Sequence, residues 1–269
     1  MPYVEKKKLI NTENNPLVTI ITPLYNAERF ITETILSIQN QTYENWEALV
    51  IDDCSTDLSS QVIEKLRRAD SRIHFIKNDV NKGAAQCRNQ GTEAAKGDYI
   101  AFLDADDLWH EEKLEKQLRF MQANNCDVSF TSYVHIDEHS KPMHKRIKAL
   151  ASLSYKKQHS NNYIGNLTGM YNAIRLGKIN APNMRKRQDW AVWLEAIKRS
   201  KKPALGIQED LAYYRIHRDS MSGNKLGLVS HNFCFYQSHL GHSSIASVFY
   251  LMRFFWEYFI IRPKQIEKL

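Results

Sequence analysis

Three aspartates at the end of one apolar segment are the residues of this chain best suited to chemistry. Asp104, Asp106 and Asp107 follow residues 99–103, a short apolar run that predicts a buried strand. Successive side chains of an extended chain point to opposite faces, so Asp104 and Asp106 are expected to share one side. Neighbouring carboxylates repel each other unless a cation lies between them, and hard divalent cations prefer oxygen ligands. The pattern predicts a metal and diphosphate site; a polar turn that caps the helix near His110 is the alternative.

Strands and helices alternate ahead of and just beyond these aspartates. Apolar, β-branched runs predict strands at 17–25, 46–51, 72–76, 99–103 and 127–135, and helical spacing predicts helices between them and at 110–124. This alternation is typical of βαβ units in a parallel sheet, where ligands bind at the carboxyl ends of the strands. The sequence has neither a G-x-G-x-x-G motif nor a P-loop, so a bound nucleotide must be held by other means.

The second half of the chain gives weaker signals. Residues 137–162 are polar and basic without a clear period, which predicts a long mobile loop of the kind that covers substrates. Residues 166–176 fit either a helix or a strand followed by a turn. Trp190, Trp193 and Leu194 predict a helix with one apolar face, and residues 203–214 predict a strand.

Residues 245–261 differ in kind, because they are apolar and aromatic but are interrupted by Arg253 and Glu257. This composition fits an amphipathic helix lying at an anionic membrane leaflet. It fits equally a helix that packs against the domain or forms an oligomer contact. No run reaches the roughly 20 apolar residues of a spanning helix, and the polar N-terminus lacks the apolar centre of a signal peptide.

Composition sets the broad class. The chain has 269 residues, of which 43% are apolar and 25% charged, with a net charge of +7; these values indicate a globular protein of one large domain or a domain with an appendage. The charge suits an anionic partner and equally an ordinary basic protein. Basic residues are scattered without stacking aromatics, which argues against nucleic acid. The cysteines, at 54, 87, 126 and 234, form no CxxC pair, which argues against zinc and fits a reducing compartment.

Five blocks in order resemble the family 2 glycosyltransferases, which have the GT-A fold. The blocks are Thr22-Pro23-Leu24-Tyr25-Asn26, Ile51-Asp52-Asp53-Cys54-Ser55-Thr56-Asp57, Asn81-Lys82-Gly83 with Arg88-Asn89, Phe102-Leu103-Asp104-Ala105-Asp106-Asp107, and Arg187-Gln188-Asp189-Trp190. Each block alone is weak, whereas the ordered set is specific. The last block resembles the subgroup that builds bacterial surface polysaccharides such as teichuronic acid and capsules.

The resemblance implies an α/β fold with a mostly parallel central sheet flanked by helices and a C-terminal helical tail. The GT-A domain is expected at 1–222, with a nucleotide-binding half at about 17–135 and an acceptor half at about 136–222. Residues 223–269 are expected to form a helical segment that associates with the membrane, the domain or another subunit. No oligomeric state is indicated.

The resemblance also implies the donor site. Asp104 and Asp106 are expected to hold Mn²⁺ or Mg²⁺, with His217 as a third ligand or a diphosphate contact. The nucleotide-binding residues it implies are Pro23, Tyr25, Asn26, Asp52, Asp53, Arg88, Asp104 and Ala105. A carboxylate can accept a hydrogen bond from the uracil N–H, so a UDP-sugar is the expected donor.

Asp189 is the implied general base. A carboxylate on the face opposite the leaving group can deprotonate the acceptor hydroxyl in a single displacement with inversion. Gln188 stands where many relatives have a glutamate, and it is expected to bind acceptor or diphosphate. Further candidate acceptor contacts are Asn166, Thr168, Arg185 and Arg187.

The sequence therefore predicts an inverting, metal-dependent hexosyltransferase (EC 2.4) of surface polysaccharide synthesis. The expected acceptor is a glycan or a lipid-linked glycan, and the expected location is the inner face of the cytoplasmic membrane. A sugar-nucleotide nucleotidyltransferase is the first alternative, although such enzymes need a glycine-rich first loop and Pro23 to Asn26 contain no glycine. A non-catalytic module that binds nucleotide-sugars is the second.

Overall fold

Strands and helices alternate in the first half of the chain, as the sequence predicts. The computed structural model describes residues 15–184, 186–217 and 227–268. Its first elements are β1 (Val18–Leu24), α1 (Ile31–Gln39), β2 (Trp46–Asp52), α2 (Ser59–Ala69), β3 (Ile73–Lys77), α3 (Ala84–Ala94) and β4 (Tyr99–Phe102). β1, β2 and β4 are apolar almost throughout because both faces of a central parallel strand are buried.

The second half is built from shorter and more varied elements. They are β5 (Leu108–Trp109), α4 (Lys113–Ala123), β6 (Val128–Ile136), β7 (Pro142–Ile147), β8 (Ser152–Leu153), α5 (Tyr155–Ser160), a 3₁₀ turn (Asn166–Thr168), β9 (Met170–Asn172), α6 (Ala173–Leu176), α7 (Gln188–Ser200) and β10 (Ala204–Arg215). The C-terminal segment contains α8 (Gly227–Cys234), a π-helical turn (Phe235–His239), α9 (Ser244–Trp256), a second π-helical turn (Glu257–Ile261), a 3₁₀ turn (Arg262–Gln265) and β11 (Ile266–Lys268).

One mixed sheet runs through the described residues in the order β11-β7-β6-β9-β4-β1-β2-β3. β4, β1, β2 and β3 pair in parallel, whereas β9 pairs antiparallel with both β4 and β6. β10 lies parallel to β6 and antiparallel to β5 and β8. The predicted α/β class is confirmed; the parallel pairs are concentrated in the first half, and the antiparallel pairs begin after β4.

The interval 137–162 corrects the sequence analysis. The mobile loop predicted there is wrong, because the chain forms β7, β8 and α5 in this interval. β7 pairs antiparallel with β6 on one side and with β11 on the other. Its side chains are exposed or half-buried, so the strand is polar, and its hydrogen-bond partners come from distant parts of the sequence. The ambiguous interval 166–176 resolves into the 3₁₀ turn, β9 and α6.

Three apolar clusters hold the elements together. Along β1, Val18 and Ile20 face one cluster and Ile21 faces the other, as the alternation of a strand requires. A third cluster joins α7 to the C-terminal segment. In this cluster the Trp190 ring stacks on the Phe235 ring with a centroid distance of 4.3 Å, and its centroid lies 5.8 Å from that of Phe254. The described part of the C-terminal segment therefore packs on the domain.

Lys113 is a fully buried cation on α4, and it gives a test of the core. Its Nζ donates to Gln117 Oε1 at 2.6 Å and lies 4.1 Å from the Trp109 ring centroid. Burial lowers the pKa of Lys113 to about 7. The unfolded chain therefore binds more protons than the folded chain between about pH 7 and 10.5, so the contribution of Lys113 to stability increases as pH rises through that window.

Lys113→Met is therefore expected to stabilise the protein at pH 7 by about 1–3 kcal/mol, since a buried polar group is replaced by an apolar one. Urea denaturation from pH 7 to 10 should show this advantage shrinking as pH rises. Lys116→Met, at a half-buried position of the same helix where the lysine is ion-paired with Glu112 and Glu209, is the control and should show no such trend. A wild-type protein as stable as Lys113→Met at pH 7 would contradict the interpretation.

Candidate active site

The predicted carboxylates stand just beyond β4 but have different neighbours. Asp104 Oδ1 accepts a hydrogen bond from Arg88 Nη2 at 2.5 Å, and Asp106 Oδ2 lies 2.9 Å from His217 Nε2. Asp107 is buried and accepts the backbone N–H of Arg215 at 2.9 Å. Asp107 therefore links the end of β10 to the turn that follows β4. Asp104 and Asp106 are half-buried and are the two carboxylates near the surface of the site.

The pKa values of Asp106 and Asp107 are raised by burial and by the negative charges of neighbouring carboxylates. Burial raises the pKa of Asp106, the neighbouring Asp104 charge raises it further, and His217 opposes both effects. Burial raises the pKa of Asp107 well above its usual value, with added repulsion from Asp106 and Asp104. A divalent cation would relieve this repulsion.

The two carboxylates, Asp104 and Asp106, are chemically suited to Mg²⁺ or Mn²⁺, which prefer oxygen ligands. Within the part of the chain that the structure describes, however, no three His, Cys, Asp or Glu side chains gather into a ready cation site. This arrangement agrees with a cation that takes one or two carboxylates and completes its shell with substrate phosphates.

Arg88, on α3, is the central side chain of the site. Besides Asp104 it donates to Gln188 Oε1 at 3.3 Å. The Asn166 amide, with its oxygen turned toward the guanidinium, accepts from Arg88 Nη2 and Nε at 3.2 and 3.1 Å. Burial works against its charge, yet the carboxylates of Asp104 and Asp189 hold the pKa of Arg88 above its usual value. One guanidinium thus spans the space between the predicted metal ligands and the predicted base.

Asp189 occupies the first turn of α7, where a carboxylate is favoured by the helix dipole. Its Oδ2 accepts a hydrogen bond from Asn162 Nδ2 at 2.7 Å. Arg88, Asn166, Gln188 and Asp189 line a small indentation together with apolar side chains that include Phe102 and Val192. Asp189 and Arg88, which is bonded to Asp104, therefore line the same small indentation.

The predicted nucleotide side is a set of loops tied to one another. Asp52 is buried, and it accepts from the Ser55 N–H at 2.9 Å and from the Ser60 hydroxyl. Asp53 accepts the N–H groups of Lys82 and Gly83 at 2.8 and 2.7 Å. Both carboxylates therefore organise the loops at the ends of β2 and β3, and contact with the base or ribose stays a prediction.

The first loop is arranged in the same way. Asn26 adopts φ 47° and accepts the Thr56 N–H at 2.9 Å, which joins the loops after β1 and β2. Tyr25 is exposed beside it, and Pro23 lies in β1. Ala105 is buried, and its carbonyl accepts from Thr34 Oγ1 at 2.9 Å. These positions surround the carboxyl ends of β1, β2 and β4.

The predicted acceptor residues separate into two groups. Asn166 and Gln188 line the indentation, whereas Thr168 is buried, with its hydroxyl on the Gly165 carbonyl at 2.8 Å. Arg187 donates to Asn232 at 2.7 Å and lies near the Trp190 and Phe254 rings, so it joins α7 to the C-terminal segment. Arg185 lies outside the described residues.

Asn162 is a site residue that the sequence analysis missed. It falls in the interval that was predicted to be a mobile loop, yet Gln158 Nε2 donates to its Oδ1 at 2.9 Å and fixes the amide that holds Asp189. Gln158 is itself buried and accepts the Tyr163 N–H at 3.0 Å. No local pattern marks these amides, because their partners are set by the packing of α5 on α7.

Comparisons with known proteins point to one family and one fold. The model of the family "Glycosyl transferase family 2" matches residues 19–181. The chain is 43% identical over 214 residues to the "Putative teichuronic acid biosynthesis glycosyltransferase TuaG" of Bacillus subtilis, covering 80% of this chain and 84% of the relative. It is 37% identical to the "UDP-Glc:alpha-D-GlcNAc-diphosphoundecaprenol beta-1,3-glucosyltransferase WfgD" of Escherichia coli, covering 78% of this chain and 81% of the relative.

Two solved structures share the fold. S. aureus TarS 1-349 in complex with UDP-GlcNAc has a TM-score of 0.71 at 20% identity, over 92% of this chain and 74% of that chain. The mannosyltransferase PcManGT from Pyrobaculum calidifontis, in complex with GDP-Man and Mn²⁺, has a TM-score of 0.66 at 16% identity, over 89% of this chain and 70% of that chain. The predicted GT-A fold is confirmed by this likeness.

Proposed function

The chain belongs to the family 2 glycosyltransferases, and from that premise we propose that it is an inverting, metal-dependent enzyme that moves a sugar from a UDP-sugar to a lipid-linked or polysaccharide acceptor. The observation that carries this proposal is the span of Arg88 from Asp104 to Gln188. Arg88 connects Asp104, expected on the diphosphate side, to Gln188, the neighbour of the proposed base Asp189, and this proximity supports a direct displacement between the two sides.

Asp189 acts first on the acceptor. Its carboxylate accepts the proton of the acceptor hydroxyl as the hydroxyl oxygen attacks the anomeric carbon. The bond from that carbon to the diphosphate oxygen breaks on the opposite side, so the configuration inverts. Asn162 holds Oδ2 of Asp189 at 2.7 Å, which leaves Oδ1 for the acceptor.

Asp104, Asp106 and His217 are the residues that would hold Mg²⁺ or Mn²⁺, with the donor's phosphates as further ligands. When bound, the cation supplies positive charge where the diphosphate leaves. Arg88 bonds Asp104 Oδ1, so Asp104 Oδ2 would remain for the cation, and the Arg88 guanidinium would also be placed to bind the diphosphate.

Names of relatives support the substrate classes. WfgD is named for a UDP-glucose donor and a diphosphoundecaprenol-linked acceptor, and TarS was solved with UDP-GlcNAc. We infer a UDP-sugar donor and a polyprenyl-linked acceptor for this chain, in surface polysaccharide synthesis at the inner face of the cytoplasmic membrane.

The proposal is tested by assaying UDP release from a panel of UDP-sugars with and without Mn²⁺ or Mg²⁺. Slow release to water, accelerated by a polyprenyl-diphosphate-linked sugar and dependent on the cation, is the expected result. Pyrophosphate formation from UTP and a sugar phosphate would show a nucleotidyltransferase instead. Binding of UDP-sugar with no release under any of these conditions would show a binding module.

Asn162→Ala is expected to lower kcat about tenfold while leaving the KM for the donor unchanged, since the lost hydrogen bond holds only the base. Asn162→Asp keeps the side-chain size but places a second carboxylate beside Asp189, so it should be more damaging than Ala. Steady-state kinetics with Asn180→Ala, an exposed amide paired with Glu93, as control would check both. An Asn162→Asp enzyme more active than Asn162→Ala would show that Asn162 matters for packing alone.

A further inference from the structure

α9 and the π-helical turn after it carry an apolar stripe that the rest of the described chain leaves uncovered. Its side chains recur at helical spacing: Ile245, Val248, Phe249, Met252, Trp256 and Phe259. Ile245 is 86% exposed, Phe249 57%, Trp256 61% and Phe259 63%. Four strongly exposed large side chains on one helical face form a patch that soluble surfaces rarely carry without a partner.

The stripe belongs to a helix that lies along the domain. The helical run Ser244–Gln265 has 22 residues and contains an 18-residue window with a mean hydropathy of 1.3, which by length and composition could cross a membrane, so the expectation that no run is long enough is wrong. Its inner face, however, packs through Phe254 on Trp190. Beyond its end, Ile266 to Lys268 pair antiparallel with β7. Crossing a bilayer would break both contacts, so the stripe can meet a membrane only from the side.

The charges beside the stripe favour an anionic surface. Arg253, Arg262 and Lys264 lie in or just after the helix. Glu257 is buried and forms an ion pair with Lys157 at 2.7 Å, and Glu267 forms an ion pair with Arg146 at 2.8 Å. The acids are thus neutralised by the domain, and exposed Lys264 with half-buried Arg253 remains to meet anionic lipid.

The same segment is fastened to the residues that hold the base. Arg262 Nη1 donates to Asn161 Oδ1 at 3.1 Å and to the Asn162 carbonyl, and the Asn162 amide holds Asp189. The Tyr163 hydroxyl donates to Glu257 Oε2 at 2.6 Å. Arg262 and Glu257 therefore connect the helix that carries the stripe to Asn162 and Tyr163, beside the proposed base. This connection favours a binding partner that also carries the acceptor.

We propose that this stripe is the docking surface of the enzyme for an anionic phospholipid bilayer, with α9 lying in the plane of the headgroups. The inference rests on the proposed function in one respect, namely that the acceptor is anchored in lipid. Trp256 and Phe259 insert among the acyl chains, and Lys264 meets the headgroups. The contacts of Arg262 with Asn161 and Asn162 keep Asp189 at a fixed distance from the membrane surface.

The experiment is flotation of the full-length protein with vesicles of phosphatidylglycerol and phosphatidylcholine, compared with phosphatidylcholine alone. Trp256 adds a direct signal, because it is the exposed tryptophan while Trp46, Trp109, Trp190 and Trp193 are buried. Wild-type protein should float with the anionic vesicles, with its tryptophan emission shifted to the blue. Phe249→Glu/Phe259→Glu should bind these vesicles at least about tenfold more weakly and show no shift.

Leu36→Glu/Ile174→Glu is the matched control, since both residues are exposed apolar side chains elsewhere on the domain; it should bind like wild type. Equal vesicle binding by the stripe variant and wild type would overturn the proposal. A wild-type protein that ignores anionic vesicles but loses a dimer in the stripe variant, by sedimentation equilibrium, would assign the stripe to a second copy instead. Vesicle binding needs no donor, so absence of UDP release would count against the proposed function and leave this result standing.

Discussion

Asp189→Asn is expected to lower sugar transfer by about 10²–10⁴-fold, the usual contribution of a general base, while UDP binds with unchanged affinity. The amide cannot accept the hydroxyl proton, yet it has the same shape and can still hydrogen-bond Asn162. The Asp189 carboxylate bonds Asn162 on the proposed acceptor side, so we expect that UDP binding does not need its charge.

Transfer kinetics and calorimetric titration with UDP measure the two effects separately. Glu195→Gln, on the same helix and ion-paired with Arg199 at 2.8 Å, is the matched control and should keep full activity. Full transfer by Asp189→Asn would remove the base assignment. Loss of UDP binding in that variant would instead give Asp189 a role on the donor side.

Asp106→Asn is expected to remove the dependence of UDP affinity on Mn²⁺ and to lower kcat/KM by about 100-fold or more, since several kcal/mol of charge stabilisation depend on the cation. The affinity for UDP in the absence of the cation should change little. Burial and Asp104 raise the pKa of Asp106, so its charge opposes folding at neutral pH.

The thermal midpoint of Asp106→Asn without Mn²⁺ should therefore equal or exceed that of wild type, and Mn²⁺ with UDP should raise it less than in wild type. Asp98→Asn, at the other end of β4 and bonded to the Leu17 N–H at 2.9 Å, is the control; it should be less stable than wild type but keep its Mn²⁺ response. A wild-type Mn²⁺ response in Asp106→Asn would contradict the metal assignment.

Residues 17–135 were predictable from sequence because their signals are local. β1, β2 and β4 are continuous apolar runs, and the polar residues that follow each strand must meet at one edge of a parallel sheet. The placement of Asp104 beside Asp106 thus follows from the chain itself. The link from this edge to Asp189 needs the resemblance, since 82 residues of sequence without a common period lie between Asp106 and Asp189.

The acceptor half was predicted less well because its structure depends on distant partners. β7 is polar, and only its pairing with β6 and β11 makes it a strand. Arg187 adopts φ 71° and donates to Asn232, so its direction depends on α8, far along the chain. Asn162 belongs to no recognisable sequence pattern. Its hydrogen bond to Asp189 depends on the packing of α5 beside α7.

The central claim is that diphosphate departs on the Asp104 and Asp106 side while Asp189 readies the attacking oxygen on the other. The measurement that tests it most directly is the anomeric configuration of the sugar first released from a UDP-α-sugar to water, followed by proton NMR before mutarotation. Attack opposite the leaving group predicts the β anomer as the initial product. Initial release of the α anomer would contradict the account.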